Sequence, residues 1–476
     1  MIKLTGEQER ILALPPKNPI QIKGVAGSGK TTIAIKRAKA LLDSYEDLFQ
    51  LGEVAIFSYG RPLSSYIKHV CEEERFPVSD QVEPGYLYIT NFHRWAYSFL
   101  KSRGIELNVT TNKEFYLKNI LRDLKLKYPD NKILDKSILF FDSEIHWMKG
   151  KLIFSRKEYL DTPRIGRGKT DRVTKQDRES IWLVFNSYQE ELKRRGQVEF
   201  DDFAPLVLEQ IEIGFSPPFT HIVIDEAQDL TKSQLLVLSK LVRDATNSIT
   251  LIADAAQRIY QSGFSWKEVG INIRGGRTCE LKKNYRSGGF IAKAAASLLK
   301  NDDDSEDFTD IEIGNDDGVK PFLKGFVDDE SKITHIKNIC QKFMADHSGA
   351  TACVLSTTNE RNSRVALQLK DAGIKIEIIN DKNKAPQLKP DHVVVTSLYA
   401  IKGMEFDLVI LSDFTEGEMP STWGKEEDDD GLHLSLQRRL LYTVMTRAKK
   451  ELHLFYVNKP SLFLKEIDPE CLQTLI

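Results

Sequence analysis

Two short stretches hold residues able to do phosphate chemistry. The first, Gly24-Val25-Ala26-Gly27-Ser28-Gly29-Lys30-Thr31-Thr32, contains G-x-x-x-x-G-K-T. The apolar Ile20-Gln21-Ile22 precedes it, and a helix-like segment from Ile33 to Leu42 follows. In that strand–loop–helix setting the glycines let backbone N–H groups close around phosphate oxygens with no Cβ in the way. Lys30 supplies a point charge for the β- and γ-phosphates, and the Thr31 hydroxyl is a ligand for Mg²⁺. The helix start adds a field that favours an anion. A Gly-rich turn that binds nothing is the bland reading, but all fixed positions and both flanks agree with a nucleoside triphosphate site. The second stretch is Asp225-Glu226, closing the apolar run His221-Ile-Val-Ile. A carboxylate there can hold Mg²⁺ through its water shell, and its neighbour can orient or deprotonate the attacking water.

The elements that must position these residues show an interrupted rhythm. Val54-Ala-Ile-Phe57 and Tyr86-Leu-Tyr-Ile89 look like buried strands followed by helices, the pattern of a parallel sheet. From Ser98 to Val198 the chain reads as helical and charged instead. Within it, Lys149 to Arg178 carries ten Lys/Arg against four Asp/Glu around the turn Arg164-Ile-Gly-Arg167-Gly-Lys169. That excess suits either a solvated loop or an arm that contacts phosphates through Arg164, Arg167 and Lys169. The α/β rhythm returns at His221–Asp225 and Thr250–Asp254. It continues through Ala352–Leu355, Ile374–Ile378, His392–Val395, Leu408–Leu411 and Leu452–Phe455. The acidic run from Asp302 to Asp317 reads as a solvated connection. A second sheet with no phosphate loop of its own is therefore expected. The fold class is α/β, with two parallel-sheet cores and a mostly helical insertion in the first.

A chain of 476 residues exceeds what one hydrophobic core organises, so several domains are expected. A net charge of −2 gives no bulk basic signature, so any nucleic-acid site must be a local groove. Cys71, Cys279, Cys340, Cys353 and Cys471 form no C-x-x-C pair and read as thiols of a reducing compartment. With no apolar leader and no spanning-length apolar run, a cytoplasmic location without membrane contact is expected.

Further motifs make a resemblance plain. Thr5-Gly-Glu-Gln8 precedes the phosphate loop, and Ile56-Phe-Ser-Tyr59-Gly-Arg61-Pro-Leu63 and Ile89-Thr-Asn-Phe92-His93-Arg-Trp95 follow it. Then come Asp225-Glu-Ala-Gln-Asp229, Ala253-Asp254-Ala-Ala-Gln257-Arg-Ile-Tyr260, Asn284-Tyr285-Arg286-Ser287, Lys402-Gly403-Met-Glu405-Phe406 and Arg438-Arg-Leu-Leu-Tyr442-Thr-Val-Met-Thr-Arg447-Ala448. In content and order the chain resembles UvrD/Rep-type superfamily 1 DNA helicases over residues 5 to 448. The resemblance implies two RecA-like P-loop NTPase core domains. The first would be 1–97 with 199–283, the helical, 1B-like insertion 98–198, and the second, 2A-like core 284–476. It assigns adenine reading to Gln8, metal binding to Thr31 and Asp225, and water activation to Glu226. It also assigns γ-phosphate sensing to Gln257, adenine stacking to Tyr285, γ-phosphate charge to Arg286, a ribose contact to Glu405 beside Gly403, and an arginine finger to Arg447.

For the strand, the resemblance nominates Tyr59, Arg61, Phe92, His93, Tyr260 and Trp266. Base–aromatic stacking tolerates any sequence, which suits a motor. About half of Tyr59, Phe92, Trp95, Tyr260, Phe264 and Trp266 are expected to be core residues instead. There are departures. After Tyr260 the family's aromatic and arginine are Ser262 and Gly263, and a histidine ahead of Lys402 is Tyr399. The stretch Asn380–Pro390 is too short for the fourth, 2B-type subdomain of fuller members. The expected activity is ATP-dependent translocation on single-stranded DNA, 3′→5′ as in similar enzymes; the residues do not separate DNA from RNA. The rival expectation is a nucleic-acid-gated NTPase switch that regulates a partner such as a nuclease.

Overall fold

A computed structural model of the chain describes residues 6–44, 51–163, 173–211, 215–257, 265–273, 275–302, 305, 308–312, 318–379, 390–421 and 430–475. Arg164, Arg167, Lys169, Tyr260 and Phe264 lie outside these residues, as does most of the Asn380–Pro390 connection.

Two seven-stranded sheets form the scaffold, and each is parallel throughout. The first contains β1 (Ile20–Gly24), β2 (Val54–Ser58), β3 (Val78–Ser79), β4 (Leu87–Asn91), β5 (His221–Ile224), β6 (Ser248–Ala253) and β7 (Thr278–Leu281). Their spatial order is β3-β4-β2-β5-β6-β1-β7. The second contains β8 (Phe322–Phe326), β9 (Ala352–Ser356), β10 (Ile376–Ile379), β11 (Val393–Ser397), β12 (Phe406–Leu411), β13 (Ala448–Val457) and β14 (Gln473–Thr474), ordered β10-β11-β9-β12-β13-β8-β14. Helices cover both faces, so the central strands β2, β6 and β9 are buried at every position and read as mostly apolar runs broken only by Ser and Thr. The edge strand β7 is exposed at alternate positions and shows no such run. This is the RecA-like two-core architecture that the sequence led us to expect.

Between β4 and β5 the chain leaves the first sheet. Helices α5 (Lys113–Lys127), α6 (Ile138–Gly150), α7 (Arg156–Asp161) and α8 (Lys175–Arg195) enclose their own core of Tyr116, Leu117, Phe141, Ile145, Val184, Phe185 and Tyr188. Helix α8 begins with a Thr174–Asp177 capping box and ends at Gly196 in the left-handed conformation. The expected boundary at 97/98 falls inside α4 (Phe92–Ser102). Phe92, Trp95, Ala96 and Leu100 of α4 pack with Phe203, Ala204 and Val207 of α9 (Phe203–Ile211) against the first sheet. Amphipathic helices take the side on which their apolar stripe is buried, so α4 and α9 belong with the first core. All five cysteines are free. Among the described residues no helix is long and apolar enough to cross a membrane.

Candidate functional site

The phosphate loop joins β1 to α2 (Lys30–Ser44). Gly27 and Gly29 have φ of 75° and 82°, a region open to glycine at little cost. A Cβ on Gly27 would also stand 2.6 Å from Asn284 Oδ1. The loop is packed that closely because the Tyr285 amide donates to Gly27 O at 2.9 Å. Beneath it, Gly24 lies against the Lys30 side chain, whose ammonium donates to Gly24 O (2.9 Å), Val25 O (3.0 Å) and Asp254 Oδ2 (3.0 Å). Gln8, buried on α1 (Gly6–Leu12), donates to Ser28 O at 3.1 Å and so braces the loop from behind. Ala26 packs into the second core's apolar cluster.

Asp225 and Glu226 follow β5, at the end facing the loop. Thr31 Oγ1 donates to Asp225 Oδ2 at 2.8 Å. Burial, reinforced by Glu226, pushes the Asp225 carboxyl up to about 7. Burial also works against a charged Glu226, but Lys402, Lys30 and Arg447 outweigh it and hold Glu226 below the usual carboxylate range. Glu226 has φ of 57°, strained for a residue with a Cβ, which turns its side chain toward the cleft. Gln228 donates to its carboxylate.

The second core closes the other wall. Helix α10 (Asp430–Met445) brings Tyr442 onto the loop, where its phenol is bonded to the Ala26 backbone. Just beyond, Arg447 Nη2 donates to Gln257 Oε1 at 2.6 Å; burial and nearby Arg286 lower this guanidinium to about 10. Arg286 pairs with Glu405. Lys402 Nζ lies 2.5 Å from Asp229 Oδ2 and donates to Gln257 O at 3.0 Å, tying the two cores together. Between the walls is a narrow cleft of about 60 Å³. Gly27, Gly29, Lys30, Thr31, Thr32, Glu226 and Gln257 line it from one side, and Arg286, Gly403, Glu405 and Arg447 from the other. The exposed ring of Tyr285 stands at the first wall, with Lys283 Nζ 5.4 Å from it.

Sequence reasoning assigned no role to Asp254, Gln228 or Asp229, although all three lie inside quoted motifs. Their signal was a carboxylate or amide at the end of a buried strand. It also missed Tyr66, on α3 (Arg61–Glu73), which lines the cleft.

The expected strand face is only partly assembled. Phe92 is 1% exposed and Trp95 6%, both in the first core. This corrects the nomination of Phe92, because a ring without accessible surface cannot stack on a base. Tyr59 and Trp266 are half-buried against the same core, and Arg61 is exposed at the start of α3. His93 is half-buried, its Nε2 3.4 Å from Gln234 Nε2, and burial lowers its pKa. The ring that stands out beside His93 is Phe200, 50% exposed and edge-on to the imidazole at 5.4 Å.

The cleft at the P-loop is lined by both parallel-sheet cores, so the second core completes the pocket of the first. Residues 4–267 match the UvrD/REP helicase N-terminal domain, and residues 279–384 and 375–459 match the UvrD-like helicase C-terminal domain. The chain belongs to the UvrD/REP helicase family. It is 27% identical over 308 residues to the ATP-dependent DNA helicase PcrA of Staphylococcus aureus, covering 60% of this chain and 38% of that protein. Against PcrA of Staphylococcus epidermidis it is 24% identical over 323 residues, covering 63% and 40%. The match thus spans about two-fifths of those relatives' length. Among solved structures, S. cerevisiae Dbp5 bound to RNA and ADP BeF3 aligns over 99% of this chain and 90% of its own, with a TM-score of 0.45 and 10% identity.

Proposed function

We propose that the chain is an ATP-hydrolysing motor that moves along single-stranded DNA in the 3′→5′ direction. The observation that carries this is the shared cleft. Lys30, Thr31, Glu226 and Gln257 of one core face Arg286, Glu405 and Arg447 of the other across a gap lined by both, with Asp225 bonded to Thr31 behind it. Closure around a nucleotide therefore depends on the γ-phosphate drawing in the two arginines, and hydrolysis releases them. The division into 1–97 with 199–283, 98–198 and 284–476 serves this reading, with α4 and α9 moving with the first core.

The metal position suits Mg²⁺. A half-buried hydroxyl and a buried carboxyl, 2.8 Å apart, are oxygen ligands of the kind a hard divalent cation takes. When bound, Mg²⁺ would neutralise charge on the phosphates. The chain's own residues do the rest. Lys30 exchanges Asp254 for phosphate oxygens. Glu226, held ionised, accepts a proton from the attacking water. Gln257 leaves Arg447 to meet the γ-phosphate, and Tyr285 and Gln8 flank the base.

The test is ATPase rate with single-stranded DNA, duplex DNA and RNA side by side, followed by stepping kinetics on oligonucleotides of increasing length. Strong stimulation by the single strand, with translocation time growing linearly with length, is expected. Stimulation without any length dependence would favour a nucleic-acid-gated switch acting on a partner such as a nuclease.

A further inference from the structure

One wall of the cleft carries residues that phosphate chemistry does not use. Beyond Lys30 and Thr31, the first core lines it with Thr32 and Ile35 of α2 and with Tyr66 and Val70 of α3. Residues three and four apart on a helix share a face, so Leu63, Tyr66 and Val70 form one stripe of α3. That stripe meets the second core, where a Cβ on Gly403 would stand 3.4 Å from Leu63 Cβ. One turn further on, Tyr66 is 46% exposed and lies close enough to the Arg286–Glu405 ion pair for both charges to act on its phenol. Partial burial and then Glu405 push that phenol's pKa up, so it stays a neutral hydroxyl able to donate. Burial opposes charge on Glu405, but Arg286 and Lys449 outweigh it and hold the carboxyl below the usual range, an acceptor only.

The place of these two groups along the cleft decides what they meet. Phosphates belong at Lys30 and Thr31, and the base beside Gln8 and Tyr285. The sugar joins the two, so it passes along the first turn of α2, where Thr32 and Ile35 line the cleft and Glu405 stands on the far wall. Ile35, Val70 and the Tyr66 ring give the C–H face of a furanose an apolar surface. A carboxylate on one side and a phenol on the other suit its two neighbouring hydroxyls. We propose that Tyr66 is a specificity-determining residue whose hydroxyl binds a sugar hydroxyl opposite Glu405, so that the cleft selects ribonucleoside over deoxyribonucleoside triphosphates. The inference rests on the nucleotide-hydrolysis reading given above. It adds a substrate choice that the phosphate-loop residues, which meet no sugar, do not make.

The test compares kcat/KM for ATP, 2′-deoxy-ATP and 3′-deoxy-ATP at saturating oligo(dT), using the full chain. The wild type should lose about tenfold on the deoxy form that lacks the hydroxyl met by Tyr66, as expected for a hydrogen bond left unmade. Tyr66→Phe should lose about tenfold on ATP and nothing further on that same deoxy form, because the partner is already gone. A residue that only packs the cleft would weaken all three nucleotides alike, and that result would overturn the proposal. So would an unchanged kcat/KM of Tyr66→Phe on ATP. A wild type that takes all three nucleotides equally would also overturn it, and that arm needs no variant to fold. In each of these cases ATP is still hydrolysed and the motor reading stands. A wild-type chain that hydrolyses none of the three, with or without oligo(dT), would overturn the motor itself and the sugar site with it.

Discussion

Lys30 shows how one side chain is kept ready. Its three ammonium donors are all engaged, and only the Asp254 bond is to a charged group. Phosphate oxygens would take that place. In the proposed mechanism the charge state of Glu226 decides turnover, and its neighbours hold its carboxyl below the usual range. Glu226→Gln should keep ATP binding and stop hydrolysis, lowering the saturated rate by on the order of 10²-fold or more. Near-wild-type turnover would show that another group activates the water. Asp225 makes a pH prediction. Its folded value of about 7 lies above its ordinary one, so its contribution to stability is full in acid and is lost as pH rises through about 7. Glu226 stays ionised in that window and adds no slope. Without Mg²⁺ the melting temperature should fall between about pH 5 and 7 and level off above that. Asp225→Asn should flatten that fall, and thermal melts at fixed ionic strength would read it.

At the scale of elements, the phosphate loop and the Asn284–Ser287 segment are built as one unit. Asn284 Oδ1 accepts from the amides of Arg286 (2.8 Å) and Ser287 (3.0 Å), shaping the turn that lies on Gly27. Gly27→Ala would meet both a left-handed backbone and the Asn284 side chain. The backbone alone costs about 1–2 kcal/mol, and the clash must push Asn284 and Arg286 off the loop. DNA-stimulated hydrolysis should therefore fall more than ATP affinity does. Equal losses of both, measured by titrating a fluorescent ATP analogue beside the rate assay, would argue against this coupling.

For the whole molecule, the two cores meet through the cleft, through α10 on the loop, and through Lys402 on Asp229. Arg286→Ala and Arg447→Ala should each lower DNA-stimulated turnover by on the order of 10³-fold while weakening ATP binding only modestly, since their charge is most useful in the transition state. Unaltered stimulated rates would place the arginine away from the nucleotide. Strands β10 and β11 pair directly in parallel register, and only residues 380–392 connect them. We expect a chain without a folded insertion there to need a single-stranded loading tail and to open long duplexes poorly alone. Each base-pair step costs about 1.4 kcal/mol to unstack, and little is present to hold the strands apart behind the junction. Stopped-flow unwinding of tailed and blunt duplexes of increasing length measures this; fast, processive opening of blunt duplexes would contradict it.

Local chemistry was legible from the residues alone. Phosphate-loop glycines, a Lys-Thr pair and an Asp-Glu at a strand end are short-range signatures, because backbone geometry within a few residues dictates them. Buried parallel strands announced themselves as apolar runs, and the edge strand β7 and the glycine-containing β8 did not, since pattern follows burial. Tertiary packing decided the rest. It buried Phe92 on the face of α4 that meets the sheet, and left Phe200 standing out on a separate turn. It assigned α4 to the first core rather than to the insertion. It brought Lys149 from α6 to Glu199 and Asp202, and Lys402 to Asp229, across long separations in sequence. Such pairings carry no local signature: charge and aromatic identity are written at each position, but their partners are set only when separate elements share one core.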